Sequence, residues 1–222
     1  MTNEIKMTDE KKDHNISGVI LAGGAGKRLN GIIKAKLVIH GKTVISMITD
    51  TLKDLFDEII IVTNTPDEFK EYCMFKMFGD QYLNKGPLAG IHSAMTHSLC
   101  DTIFVVAGDM PLIEQDIIIR QIEFFYDNNF DVVIPRMNQF IEPLHGIYKK
   151  SLLRSLEQQL EGTNDNSIMS FLKKTNSGYL QFEESEKTKR AFLNINSSSD
   201  LIIVEKIAGL RNINSASGSE NE

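Results

Sequence analysis

Three cations and a carboxylate in this chain have the types and spacing to work on a phosphate. Residues 19–28 read Val-Ile-Leu-Ala-Gly-Gly-Ala-Gly-Lys-Arg, an apolar run passing through glycines into Lys27 and Arg28, with Lys34 a little further on. Glycines allow a backbone to approach a ligand closely and to take angles closed to other residues. Consecutive backbone N–H groups in such a turn make a concave anion site. Strand, glycine loop and cations together read as a phosphate cradle for a nucleotide. Arg28 offers a rigid fork and Lys34 a mobile point charge, a pair suited to a triphosphate. Asp109 follows the apolar run Phe104-Val105-Val106-Ala107 and precedes Met110-Pro111. A carboxylate at a strand end can hold Mg²⁺, which takes hard oxygen ligands and bridges phosphates. The plain alternative for Asp109 is a turn acceptor before proline.

Two common glycine loops do not fit. The Walker pattern requires glycine where Leu21 stands and Ser or Thr where Arg28 stands. The dinucleotide fingerprint requires a third glycine where Leu29 stands.

Further pieces follow in order along residues 16–208. They are Leu21-Ala22-Gly23-Gly24 with Arg28, Leu29, Gly31 and Lys34, then Gly86-Pro87-Leu88-Ala89-Gly90, Gly108-Asp109-Met110-Pro111, Glu142-Pro143-Leu144, and Asn194-Ile195-Asn196. Together they resemble the molybdenum cofactor guanylyltransferases, the MobA family, within the sugar-nucleotidyltransferase-like superfamily. The resemblance implies a Mg²⁺-dependent transfer of GMP from GTP to the phosphate of molybdopterin, bare or molybdenum-loaded, with release of pyrophosphate. It implies that Leu21, Ala22, Gly23 and Gly24 border the nucleotide. It also implies that Arg28 holds the triphosphate, Lys34 lies near the α-phosphate and Asp109 is the metal ligand. Asp80 is similar to the family's nucleotide-site aspartate. Gly86, Pro87 and Leu88 belong to a loop that resembles the frame of the guanine base. Asn194 and Asn196 match asparagines near the pterin and the metal. Alternation around Ile195 puts both on one face. Family members hand their product to molybdoenzymes or their chaperones. The cytidylyltransferases of the same pterin tend to open with Leu-Ala-Ala-Gly, so Gly24 favours guanine. A cytidylyltransferase, another small nucleotidyltransferase and a non-catalytic nucleotide-binding module are the competing readings.

The chain departs from the family in front of the lysine. The family has a double glycine and an aspartate there; this chain has Asn30-Gly31 and then Ile32-Ile33. Ile33 cannot orient an ammonium as a carboxylate would. Lys36 is the rival for the functional lysine. The pattern Leu37, Gly41, Lys42 keeps Lys34 in the family's register.

The elements that must position these groups follow from periodicity. The chain has 222 residues, with hydrophobic content 41%, charged content 24% and a net charge of −6. That is enough for one full-sized core and argues against broad binding to nucleic acid or anionic membrane. Cys73 and Cys100 have no metal-ligand spacing and read as buried or free thiols in a reducing compartment. The five histidines show no metal-site spacing. The chain has no apolar run of the ~18 residues needed to span a bilayer and no secretory signal, which implies a cytoplasmic protein.

Strands are expected at Ile16–Ala22, Lys36–Ile39, Glu58–Thr63, Phe75–Phe78, Thr102–Ala107, Asp131–Pro135, Pro143–Tyr148, Gly178–Phe182 and Ala191–Leu193. Helices are expected at Thr43–Phe56, after Pro66, and at Ile91–Leu99, Glu114–Asp127, Lys149–Glu161, Ser167–Lys174 and Ser197–Leu210. This alternation predicts a three-layer αβα fold with a mostly parallel, Rossmann-like sheet, of the nucleotide-diphospho-sugar transferase type. Residues 16–210 are expected to form one nucleotidyltransferase domain between flexible tails, 1–15 and 211–222. In such sheets ligands bind outside the carboxyl ends of the strands. The segments at 23–28, 80, 86–90 and 109 all follow expected strands and so converge on one edge.

Overall fold

A computed structural model describes residues 15–23, 28, 29, 31–162 and 165–217. The central sheet has eight strands: β1 Ile16–Leu21, β2 Ile59–Val62, β3 Lys76–Phe78, β4 Thr102–Ala107, β5 Val132–Met137, β6 Phe140–Ile141, β7 His145–Lys149 and β8 Ser177–Gln181. The order across the sheet is β3-β2-β1-β4-β7-β5-β8, with β6 continuing the β7 side of β5. β1 is parallel to both its neighbours, β2 and β4, and β8 is parallel to β5. β7 alone runs against both β4 and β5. It returns from β5 through the short hairpin at Asn138 and β6, and so short a link cannot make a parallel crossover.

Alternating side chains of β1 and β4 feed two cores, which makes the three layers. Ile16, Ile20, Phe104 and Val106 pack with helices α1 Val44–Leu52, α3 Gln115–Asp127 and α7 Ser198–Ser217. Val19, Leu21, Ile103 and Val105 pack with α2 Pro87–His97, α4 Leu153–Gly162 and α5 Ile168–Leu172 on the other face. All six residues of β1 are buried, as its continuous apolar run requires. Helix α1 starts where Thr43 accepts a hydrogen bond from the Ser46 N–H, and it buries Val44, Ile45, Ile48 and Leu52.

Several expected boundaries move. Lys34–Lys36 form a turn of 3-10 helix, so the strand expected at Lys36–Ile39 is reduced to Val38–Ile39. That strand pairs with Lys42–Thr43 across His40 and Gly41, both at positive φ, the geometry of a tight hairpin turn. Helix α2 begins at Pro87 rather than Ile91, because proline suits a first helical position and Gly86 takes φ +70° before it. The strand expected at Ala191–Leu193 is absent. Ala191 instead ends helix α6, Glu186–Ala191, which is nucleated by the Ser185 side chain accepting from the Thr188 N–H. Its apolar triplet buries by docking on the sheet rather than by strand pairing. Helix α7 runs beyond the expected end at Leu210 into the expected C-terminal tail. The expected N-terminal tail, apart from Asn15, lies outside the described residues. Among the described residues, no helix is long and apolar enough to cross a membrane.

His145 opens β7 inside the core. Phe104 and Phe192 meet its ring edge-on at 5.0 and 5.1 Å, and neither ring nitrogen has a hydrogen-bond partner among the described residues. Burial lowers its pKa to about 4. The folded pKa lies below the unfolded value, so acid favours the unfolded chain, which takes up the proton first. The contribution is complete above about pH 6.5 and falls by about 3 kcal/mol on the way to pH 4. His145→Leu is expected to remove most of that slope, checked by urea unfolding of both proteins at about pH 7 and about pH 4.5. Equal losses in the two proteins would contradict this account.

Candidate active site

The carboxyl ends of β1, β2 and β4 meet with almost no space between their backbones. Gly108 donates its N–H to the Leu21 carbonyl at 3.0 Å, and Ala22 donates to the Val62 carbonyl at 2.9 Å. A Cβ on Gly108 would stand 2.9 Å from the Leu21 oxygen, and one on Gly23 would stand 3.1 Å from the Thr63 Cα. Two glycines are therefore what lets three strand ends close on one another. Leu21 and Ala22 turn their side chains into the core. They can meet a ligand only through backbone groups. Gly24, Lys27 and Asn30 lie outside the described residues, as does the Arg28 side chain. The Arg28 backbone pairs with Ile33 in a small hairpin, residues 28–29 against 32–33, that delivers Lys34 to the edge.

Lys34 and Asp109, far apart in sequence, meet there in a nearly buried pair. The Lys34 ammonium stands 3.2 Å from Asp109 Oδ2 and donates to Asn196 Oδ1 at 2.8 Å. The side chains of Lys34 and Asp109 are 8% and 9% exposed, so solvent screens their interaction little. An ammonium has three donors. Among the described residues two are engaged here, and the third remains to face a ligand. Lys36 is elsewhere: its ammonium donates to the Glu68 carbonyl at 2.5 Å and pairs with the Glu68 and Glu71 carboxylates. Ile33 is half-buried against the core, and Asp109 and Asn196 are the groups that hold the Lys34 ammonium.

The segment 194–196 is anchored at three points. The Ile195 N–H donates to the Asp109 carbonyl at 2.9 Å, and its side chain is fully buried. The Asn194 amide donates to Glu142 Oε2 at 3.0 Å. Asp200, in the first turn of α7, accepts from the N–H groups of Asn196 and Ser197 at 2.9 and 2.8 Å. Ser197 Oγ accepts in return from the Asp200 N–H at 3.3 Å, a reciprocal cap. The Asn196 N–H and the Ser197 hydroxyl, with a smaller contribution from the Lys34 charge, hold the Asp200 carboxyl below its usual range. The two asparagines, one reaching Glu142 and the other Lys34, stand in an irregular segment rather than a strand.

Asp80 is on a separate branch of the same edge. Asn64 brackets it, its amide donating to Asp80 Oδ2 at 2.8 Å and its oxygen accepting from the Asp80 N–H at 2.7 Å. The expected loop at Gly86–Gly90 is instead the start of α2. Leu88 is fully buried in the core, which removes its side chain from any ligand. A Cβ on Gly90 would lie 3.0 Å from Leu21 and 3.7 Å from Asp80 Oδ1, so Gly90 lets the helix start approach both. No side chain caps this start; Pro87 has no N–H to satisfy, and the Ala89 N–H donates to the Gly86 carbonyl at 3.1 Å. The sequence reading did not single out Asn64. Its only signal is a polar residue two places beyond the end of β2.

A three-layer αβα sheet with a glycine-lined edge, a Lys–Asp pair and an uncapped helix start defines a nucleotidyltransferase-like protein. The chain belongs to the MobA-like NTP transferase family, whose domain matches residues 18–178. It is 34% identical over 203 residues to a protein of Natranaerobius thermophilus named "Probable molybdenum cofactor guanylyltransferase", covering 88% of this chain and 97% of that one. A protein of Syntrophotalea carbinolica named "Molybdenum cofactor guanylyltransferase" is 32% identical, covering 83% and 88%. The solved structure of molybdopterin-guanine dinucleotide biosynthesis protein A from Archaeoglobus fulgidus superposes with a TM-score of 0.73 at 25% identity, covering 87% of this chain and 98% of that one.

Proposed function

We propose that this chain is a molybdenum cofactor guanylyltransferase, transferring GMP from GTP to the phosphate of molybdopterin, bare or molybdenum-loaded. The observation that carries the proposal is the meeting of Lys34, Asp109 and Asn196 at the carboxyl edge of the sheet. The names of its relatives support the choice of nucleotide and acceptor.

In this reading an oxygen of the acceptor phosphate attacks the α-phosphorus of GTP. The bond to the bridging oxygen of the β-phosphate breaks, and pyrophosphate leaves. The obstacle is repulsion between two anions, so catalysis consists of positioning and charge neutralisation. Nucleotidyltransferases of this family generally use a divalent metal. Mg²⁺ is the ion proposed here, and it would supply charge neutralisation at the phosphates. Among the described residues no group of three or more His, Cys, Asp or Glu side chains could hold a metal. Among the described residues Asp109 is the carboxylate paired with Lys34, which fits an ion held mainly by substrate phosphates and water, as Mg²⁺ commonly is.

Lys34 turns its remaining donor to the α-phosphate, and Arg28 follows the glycine loop to the triphosphate. Backbone groups of Leu21, Ala22, Gly23 and Gly24 line the nucleotide. Asp80, held by Asn64, and the start of α2 at Gly86-Pro87 read the base through polar groups. Asn194 and Asn196 face the acceptor. Residues 16–210 act as one domain of a cytoplasmic enzyme that passes its product to molybdoenzymes or their chaperones.

GTP is expected to bind at least about tenfold more tightly than CTP or ATP, a preference of about 1.4 kcal/mol. Calorimetric titration with each nucleotide and Mg²⁺ measures it. Equal affinities would remove the guanine assignment, and a preference for CTP would make the chain a cytidylyltransferase.

A further inference from the structure

We propose that Glu142 is a positioning residue that sets the polarity of Asn194, so that the turn 194–196 presents a hydrogen-bond acceptor beside a donor to the acceptor substrate. The proposal rests on the function argued above.

The two asparagines are read by chemistry alone. An ammonium can only donate, so the Asn196 atom facing Lys34 at 2.8 Å is its oxygen. That leaves the Asn196 NH₂ on the other side of the amide. A carboxylate can only accept, so the Asn194 atom facing Glu142 Oε2 at 3.0 Å is its nitrogen. The same NH₂ lies 3.5 Å from the Phe192 carbonyl, so both its hydrogens have partners. What Asn194 turns away from these partners is its carbonyl oxygen. One residue apart, with Ile195 buried between them, the turn offers a C=O and an NH₂.

Glu142 cannot be replaced by its own amide here. Its Oε1 accepts from the Leu144 N–H at 3.2 Å while Oε2 accepts from Asn194. Both jobs need an oxygen. Glutamine has only one. With that oxygen kept on Leu144, its NH₂ would face Asn194 and force the asparagine amide to flip. Glu142 stands at this edge because β7 is antiparallel: the Ala107 N–H donates to the Leu144 carbonyl at 2.9 Å, which sets the residues before β7 beside the strand end that carries Asp109. The complementary ligand is a phosphomonoester with an N–H or O–H donor close to the phosphate. The phosphate meets the Asn196 NH₂ next to Lys34, and the donor meets the Asn194 oxygen.

The experiment compares wild type, Glu142→Gln and the double variant Glu142→Gln with Asn194→Asp, using molybdopterin and GTP. Glu142→Gln is expected to raise the KM for molybdopterin by about tenfold, as an unpaired polar contact does. The GTP Kd and kcat are expected to stay within about twofold, since neither group of the flipped amide touches Lys34 or Asp109. In the double variant the new carboxylate accepts from the glutamine NH₂ and again offers an oxygen outward, so KM is expected to recover in part, limited by the lost bond to the Phe192 carbonyl and by the added charge near the phosphate. An unchanged KM in Glu142→Gln, or a double variant no better than the single one, would overturn the proposal. So would a shift in the Mg²⁺ requirement in place of the molybdopterin KM, because the Asn194 oxygen would then serve a metal. A second readout needs no turnover. Exchange of the Asn194 side-chain amide protons, followed by ¹⁵N NMR, is expected to be slow in wild type and fast in Glu142→Gln. Equal exchange overturns the polarity argument. A wild-type protein that transfers nothing to molybdopterin overturns the proposed function, while the NMR comparison still decides the role of Glu142.

Discussion

Asp109→Ala is expected to lower Mg²⁺-dependent turnover on the order of 10³-fold, the upper range for loss of one preorganised charge at a reacting phosphate. Asp109 is the carboxylate that the tight closure of Gly108 on Leu21 holds at the edge, and its backbone carbonyl also anchors Ile195. The backbone anchor survives the substitution, so the turn 194–196 stays in place. Asn196 still accepts from Lys34, which leaves the ammonium with one partner. The fold is therefore expected to persist but to melt at lower temperature, because the nearly buried Lys34 ammonium loses its counter-charge, as circular dichroism and a thermal melt would show. The requirement for the metal is the telling quantity: near-normal turnover with an unchanged Mg²⁺ dependence would show that Asp109 is not its ligand.

Lys34→Ala is expected to lower kcat by about 10²-fold or more, with Lys36→Ala close to wild type. The two lysines differ in where they end, not in chemistry. Lys34 reaches Asp109 and Asn196, whereas Lys36 is spent on Glu68 and Glu71 at the other side of its 3-10 turn. Removing Lys34 also leaves the Asp109 charge nearly buried and unpaired, which commonly costs about 3–5 kcal/mol. A loss of folding must therefore be separated from a loss of chemistry. Lys34→Met combined with Asp109→Leu is expected to regain stability, because an apolar pair can replace a buried ion pair at little cost, while remaining inactive. A dead Lys36→Ala beside a normal Lys34→Ala would move the site by two residues and leave the proposed nucleotide chemistry standing.

Much of the fold was legible because burial writes itself into composition. β1 and β4 are covered on both faces, so their runs of apolar residues need no partner to be recognised. The helices α1 and α3 carry their buried residues at helical spacing for the same reason. The short apolar triplet Ala191-Phe192-Leu193 was not legible: three residues have no period, and the cap at Ser185 decided for helix. The antiparallel course of β7 was not legible either. The strand's composition is the same in both directions, and the length of the link from β5 decides.

The sequence by itself determined the family, the αβα architecture and the sheet edge on which the candidate site residues converge. Glycines, a strand-end carboxylate and cations mark that edge by residue type, since few residues can line a phosphate. Tertiary structure showed that Lys34, which the register already favoured, reaches Asp109 and Asn196, whereas Lys36 reaches Glu68. It also decided that Gly86–Gly90 is a helix start, that Asn64 holds Asp80, and that Glu142 stands behind Asn194. These are contacts between residues far apart in the chain. A hydrogen bond depends on position and direction in space, and residue types fix neither until the strands have closed on one another.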